Sequence, residues 1–258
     1  METKLQIAEN WLPRYTGTEI DEFGDWILLT NFANYVEKFS AAFSCPIKGQ
    51  GKPMQTCTNK HNISIINFGM GSPSAATIMD LLIARRPKGV LFLGKCGGLK
   101  RSSEIGNFIL PIAAIRGEGT SNDYLPSEVP ALPSFKLHKS VSEVLAKKYN
   151  FEYRTGVIYT TNRRLWEWDQ NFRSYLQSLS TIAIDMETAT VFVVGHKNSI
   201  ARGALLLVSD VPTQPEGVKT RESDKKVNAN FVDLHLEIGI ESLKYMAEKG
   251  ESIKHFSY

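Results

Sequence analysis

The chain has 258 residues, 42% of them hydrophobic and 22% charged, and its 30 Lys and Arg against 27 Asp and Glu leave a net charge of +3. That length suits one large α/β domain with a full core, and the composition excludes a disordered chain. The small, scattered basic excess neither requires nucleic acid nor excludes an anionic small substrate, and no aromatic-interleaved basic stripe runs through the sequence.

Positions 1–24 read as an N-terminal arm that lacks the apolar stretch of a signal peptide. Apolar runs at 26–31 and 62–68 predict the first two strands. Ser72 and Pro73 then suit a helix start, and Ala76, Met79, Leu82 and Ile83 carry helical spacing as far as Arg86. Val90-Leu-Phe-Leu93 reads as a short, fully apolar strand of parallel-sheet type. Further strands are expected at 107–115, 152–160, 181–184 and 203–209, and helices at 137–149, 171–179, 187–197 and 225–249. The last of these carries Val227, Phe231, Leu234 and Ile238 as one apolar stripe, with Gly250 as its stop. Residues 117–134 read as a long loop, and the charged run Glu216 to Lys226 as a solvated loop, with a mobile lid as the minority reading. Strand and helix alternate, so a single domain with a mainly parallel sheet and helices on both faces is expected.

No run is long enough to cross a bilayer, and a cytoplasmic protein is expected. Cys45, Cys57 and Cys96 are odd in number and lack CxxC spacing, so reduced thiols are expected. The five histidines stand alone, and no local metal motif can be built from them.

Four segments fall where strands give way to turns or helices, the carboxyl ends at which α/β sheets bind ligands. Gly69-Met-Gly71 lacks the third glycine of a dinucleotide fingerprint, since Ser74 holds that position. It is either a tight strand–helix turn or a place where Gly71 lets a ligand approach amides at a helix start. Gly94-Lys-Cys-Gly-Gly98 has the wrong spacing for a nucleotide phosphate loop, and its glycines press against another strand or against a flat ligand. Cys96 there reads as a small buried apolar residue. Asp185-Met-Glu187 opens a helix: capping accounts for Asp185 and leaves Glu187 free to accept hydrogen bonds from vicinal sugar hydroxyls. Ser209-Asp210 ends an apolar strand, where desolvation raises a carboxyl pKa and allows general acid work, with capping as the alternative. Arg163 and Arg164, flanked by Thr161, Trp166 and Trp168, favour an anion or base contact. Arg116-Gly-Glu-Gly-Thr-Ser121 has the chemistry of a phosphate monoester site.

Together these elements resemble the purine nucleoside phosphorylase/nucleosidase family, whose motifs occur here in family order across nearly the whole chain. The strings Leu91-Phe-Leu-Gly-Lys-Cys-Gly-Gly-Leu-Lys100, Arg116-Gly-Glu-Gly-Thr-Ser-Asn-Asp-Tyr124, Thr160-Thr-Asn-Arg-Arg164, Ser209-Asp-Val-Pro212 and Pro215-Glu-Gly-Val-Lys-Thr220 resemble its AMP nucleosidase branch. The resemblance implies one α/β domain around a central mixed, mostly parallel sheet. It implies that Asp210 protonates N7 of a leaving purine and that Glu187 holds the ribose hydroxyls. Met186 is then expected to line the sugar pocket and the backbone of Cys96 and Gly97 to lie beside base and ribose. Gly71, Lys95, Arg116, Thr161, Arg163, Arg164, Trp166 and Ser209 complete the expected substrate contacts, and the aromatic stack on the base falls among Arg164, Leu165 and Trp166.

Phosphorylases of the family place a phosphate-binding arginine where this chain has Phe92, and a serine where it has Lys95. Water therefore becomes the better nucleophile, and the expected reaction is hydrolysis of AMP to adenine and ribose 5-phosphate without metal or organic cofactor. The resemblance further implies a homohexamer built from dimers, and a short form without the N-terminal regulatory domain of larger relatives. A phosphorylase, a methylthioadenosine-type nucleosidase and, from another class, a non-catalytic nucleotide sensor stand as alternatives.

Overall fold

A computed structural model of the chain describes residues 2–150, 152–214 and 217–250. The arm is mostly helix: α1 (Lys4–Thr16) starts at a capping box between Thr3 and Gln6, and buries Ala8 and Leu12. Strand β1 (Trp26–Thr30) is followed by α2 (Ala33–Phe43), which turns Tyr35, Val36 and Phe39 inward. A short edge strand β2 (Gln55–Thr58) pairs antiparallel with β3 (Ile63–Asn67), and α3 (Ser72–Leu81) follows. Next come β4 (Gly89–Gly98) and β5 (Phe108–Gly117), then α4 (Phe135–Glu143), which continues as a wider helical turn over Val144–Lys148. The chain continues through β6 (Tyr153–Thr161), α5 (Gln170–Ser178), β7 (Ala183–Asp185), α6 (Thr188–Lys197) and β8 (Arg202–Asp210). Helices α7 (Arg221–Asn230) and α8 (Val232–Lys249) end the described chain.

The eight strands form one mixed sheet in the order β2-β3-β1-β4-β7-β6-β5-β8, in which β8 also pairs with β4. Strands β4, β7, β6, β5 and β8 thus close on themselves. The antiparallel pairs β4–β7 and β5–β8 complete the ring. Period-two alternation divides the core between the two faces of the sheet. Ile27, Leu29, Val90, Phe92, Leu206 and Val208 pack toward α3 and α6. Trp26, Leu28, Leu91, Leu93, Leu205 and Leu207 pack toward α2, α4 and α8.

Four expectations need correction. Strand β4 does not end at position 93 but runs through the glycine motif to Gly98, with a register shift between Cys96 and Gly97 against β8. The missing side chain of Gly94 makes room for the ring of Phe92, which would lie 2.5 Å from a Cβ there. The helix expected at 225–249 breaks at Phe231 (φ −126), whose ring fills the space left by Gly106. Within the run expected to be a solvated loop, Thr220 caps α7, which begins at Arg221, and Glu216 lies outside the described residues. Lastly, Cys45 and Cys57 form a disulfide with their Cα atoms 6.4 Å apart, so only Cys96 is free. Residues 45 and 57 meet because α2 packs on β2 and β3, a juxtaposition that the spacing of the cysteines does not reveal.

Candidate active site

The carboxyl ends of β1, β4, β6, β7 and β8 converge on one pocket. Strand β4 lends it Lys95, Cys96 and Gly97, and the segment after β6 lends Thr161, Arg163, Arg164 and Trp166. Met186 and Glu187 follow β7, and Ser209 and Asp210 end β8. Eleven of the thirteen residues expected from sequence therefore line one cavity.

Asp210 reaches the pocket through the register shift between β4 and β8, in which Ser209 is the extra residue of β8 and Gly97 comes to stand opposite Asp210. A Cβ on Gly97 would stand 3.3 Å from Asp210 Oδ2, so the glycine leaves the carboxyl its space. The Ser209 hydroxyl donates to Asp210 Oδ1 at 2.7 Å. Burial pushes the Asp210 pKa up, against the opposing pull of that hydrogen bond and of Lys219 and Arg164. A carboxyl in this setting retains its proton to higher pH than a free aspartate.

Glu187 is 2% exposed. Its Oε1 accepts the Gly71 backbone N–H at 2.8 Å. Burial, and then the nearby Asp185 charge, push its pKa well up, while the Gly71 and Met186 amides and the Asn31 side chain pull the other way. Asp185 is occupied as a cap. Its Oδ2 accepts the Glu187 and Thr188 amides at 3.2 and 2.8 Å, and its Oδ1 accepts the Thr160 hydroxyl at 2.7 Å. Both acids line the pocket, Asp185 with its oxygens taken up at the helix start and Glu187 with Oε1 on the Gly71 amide.

Two expected contacts lie elsewhere. Gly71 does not line the pocket, because its amide is committed to Glu187 and its φ of +91 turns the chain into α3. Arg116 is also outside it. Its guanidinium donates to Ser121 Oγ, Asn122 Oδ1 and the carbonyls of Leu125, Pro126 and Val129. That set of bonds organises the 117–134 loop and leaves the group no donor for a ligand. Because three of the five partners are backbone carbonyls, the motif could not be told from an anion site in sequence.

The remaining groups differ in freedom. Arg163 pairs with Asp169 at 2.9 Å, and Arg164 stands 3.7 Å from Glu167; both remain at least 40% exposed at the mouth. Trp166 is buried against Phe172, with ring centroids 5.7 Å apart, while Leu165 is 74% exposed. Burial raises the Cys96 thiol pKa far above its usual range, which fits a packing residue rather than a nucleophile. Lys95 has a side chain only 3% exposed, and burial lowers its pKa despite a carboxylate partner. Asn31, Phe32, Met70 and Lys219 also line the pocket and were not anticipated. The first two follow the apolar run of β1, and a strand end was the available signal. Among the described residues, no three His, Cys, Asp or Glu side chains gather as a metal site.

The Phosphorylase superfamily model matches residues 27–244, and the chain belongs to that superfamily. A crystal structure of AMP nucleosidase from Bacteroides thetaiotaomicron superposes with a TM-score of 0.87 at 48% identity, covering 97% of this chain and 100% of that one. The AMP nucleosidase of Escherichia coli K12 is 29% identical over 94% of this chain. The chain spans 59% of the length of that relative. The uridine phosphorylase of Treponema pallidum is 27% identical over 75% of this chain and 80% of its own length.

Proposed function

We propose that this member of the Phosphorylase superfamily hydrolyses the N-glycosidic bond of AMP, releasing adenine and ribose 5-phosphate. The observation that carries the reading is the meeting of the buried Glu187 and the partly buried Asp210, both with raised pKa values, in one pocket with cations at its mouth. The similarity to proteins named AMP nucleosidase supports the choice of substrate.

In this reading Asp210 delivers its proton to N7, so electrons drain from the base as the bond from C1′ to N9 lengthens. Glu187, held by the Gly71 amide, hydrogen-bonds the ribose hydroxyls and fixes the sugar for attack at C1′. Water then adds to C1′. Its departing proton restores Asp210 by way of solvent, and no metal or organic cofactor takes part. The position of Phe92 supports water over phosphate. Its ring packs in the core 5.7 Å from that of Phe68, so position 92 supplies no cation to an attacking phosphate. Arg163 and Arg164 remain to bind the 5′-phosphate. The same reading includes a cytoplasmic homohexamer built from dimers; Leu165 and Trp168, each 74% exposed beside the mouth, support association there.

The test is to incubate the pure protein with AMP, adenosine, IMP and methylthioadenosine, with and without phosphate, and to identify the products. The expected result is adenine and ribose 5-phosphate from AMP without added phosphate. Each charge-assisted contact is worth roughly 1.5–3 kcal/mol, so AMP should exceed adenosine by orders of magnitude. Equal activity on adenosine, or strict dependence on phosphate, overturns the reading; release of no base at all favours a sensor.

A further inference from the structure

Lys95 and Lys219 bring two ammonium groups to one wall of the pocket, and both belong to a network centred on α7. Lys95 Nζ donates to Asp224 Oδ1 at 3.3 Å and to Asn228 Oδ1 at 2.7 Å. Lys219 Nζ lies 2.8 Å from the same Asp224 oxygen. Asn228 Nδ2 in turn donates to Asp224 Oδ2 at 3.3 Å, and Asn34 Nδ2 donates to Asn228 Oδ1 at 3.1 Å. Both lysines also face the ring of Phe32, with Nζ 4.3 and 5.9 Å from its centroid. One carboxylate therefore serves two cations in a partly dehydrated setting, where an uncompensated ammonium pair would draw in a small anion.

We propose that Asp224 is a specificity-determining residue that sets the nucleophile. By pairing with both Lys95 and Lys219, and so halving the positive charge of that wall, it keeps inorganic phosphate from binding beside the sugar and leaves the attack to water. The proposal rests on the hydrolytic reading above. In hydrolysis the C1′–N9 bond breaks, water supplies the new C1′–O bond, N7 takes the proton from Asp210 and the proton of water replaces it. Were phosphate admitted, its oxygen would form the C1′ bond and the sugar product would be ribose 1,5-bisphosphate.

The test compares the wild type with Asp224→Asn, Asp224→Ala and Asp224→Glu, at zero and at tens of millimolar inorganic phosphate. Asp224 is 36% exposed, so these substitutions do not empty a core position. Phosphate binding is read as the shift in Tm, and the products of AMP are identified in parallel. The expected result is a phosphate-induced rise in Tm at least twice as large in Asp224→Asn and Asp224→Ala as in the wild type. Asp224→Glu should restore wild-type behaviour. In the two neutral variants, phosphate should also compete with AMP or appear in ribose 1,5-bisphosphate. A Tm response equal to that of the wild type, or ribose 1,5-bisphosphate from the wild type itself, overturns the proposal. If no form of the protein cleaves AMP, the functional reading fails, while the Tm comparison still decides whether Asp224 excludes the anion.

Discussion

The backbone N–H of Gly71 donates to Glu187 Oε1 at 2.8 Å across 116 positions of sequence. This bond ties the glycine turn before α3 to the carboxylate after β7, so two motifs that look like separate ligand contacts form one device. The glycine presents an amide, and the amide fixes the acid. Gly71 has φ +91 and ψ 161, a region that side chains rarely enter.

Gly71→Ala should therefore cost about 1–3 kcal/mol in backbone strain and misdirect the amide that holds Glu187. Nothing blocks the added methyl group, since only Pro73 Cδ lies near it at 3.9 Å, so strain alone is tested. A lowered Tm together with reduced turnover is the expected result. Unchanged turnover would separate the turn from the site.

Asp210→Asn should lower kcat by a factor of about 10² to 10⁴, the usual contribution of general acid catalysis, with little change in KM. An amide keeps a hydrogen bond to N7 but delivers no proton. Steady-state kinetics on AMP check this, and a loss of only a few-fold removes Asp210 from the mechanism.

Glu187→Gln should lose activity and gain stability near neutral pH. Burial raises the folded pKa of Glu187, so between its ordinary value and the raised one the folded state binds more protons than the unfolded state. Stability from this group is full at low pH and is lost as pH rises. Removing the acid should therefore raise Tm at pH 7 to 8 and have little effect below pH ~4. A gain of about 1 kcal/mol is roughly 2–4 °C in a chain of this size. A Tm that falls at every pH instead supports a purely structural role.

Arg116→Met should destabilise the 117–134 loop by about 2–3 kcal/mol through its lost charge-assisted hydrogen bonds. The preference for AMP over adenosine should not change, because the guanidinium is committed to its own loop. Tm and the ratio of kcat/KM for the two substrates measure the two effects separately.

Acid should unfold the protein partly through His235. This buried ring bonds Tyr35 Oη at Nδ1 and the Leu205 carbonyl at Nε2, and burial holds its pKa down to about 3. Below the ordinary histidine pKa the unfolded state binds the extra proton. Stability should then fall by about 1.4 kcal/mol per pH unit between pH ~6.5 and the lowered value. Denaturant titrations from pH 7 to 5 check this, and His235→Gln should flatten the slope.

Much of this architecture was legible in sequence because its signals are local. Seven strands announce themselves as apolar runs, and Asp185, Glu187 and Asp210 announce themselves by standing where those runs end. The edge strand β2 was missed because it is only four residues long, whereas Tyr35, Val36, Phe39 and Phe43 of α2 do carry helical spacing, a signal the sequence contains. The break at Phe231 was missed because the stripe 227–238 keeps its period across it; only the empty space beside Gly106 draws the ring out of register.

What the sequence by itself determined is the alternation of strand and helix, the order of the motifs and the presence of two acids at strand ends. Those follow from side-chain periodicity and chain stiffness, which act over a few residues. The tertiary structure alone decided which groups face the pocket. Pairing of β8 with both β4 and β5 closes the sheet and brings Asp210 to Gly97, while α7 brings Asp224 to Lys95, 129 positions away. The same packing turns Arg116 into its own loop and the Gly71 amide onto Glu187. A guanidinium or an amide takes whichever acceptor the folded chain presents at hydrogen-bond distance, and that partner is set by contacts between distant segments rather than by the residues beside it.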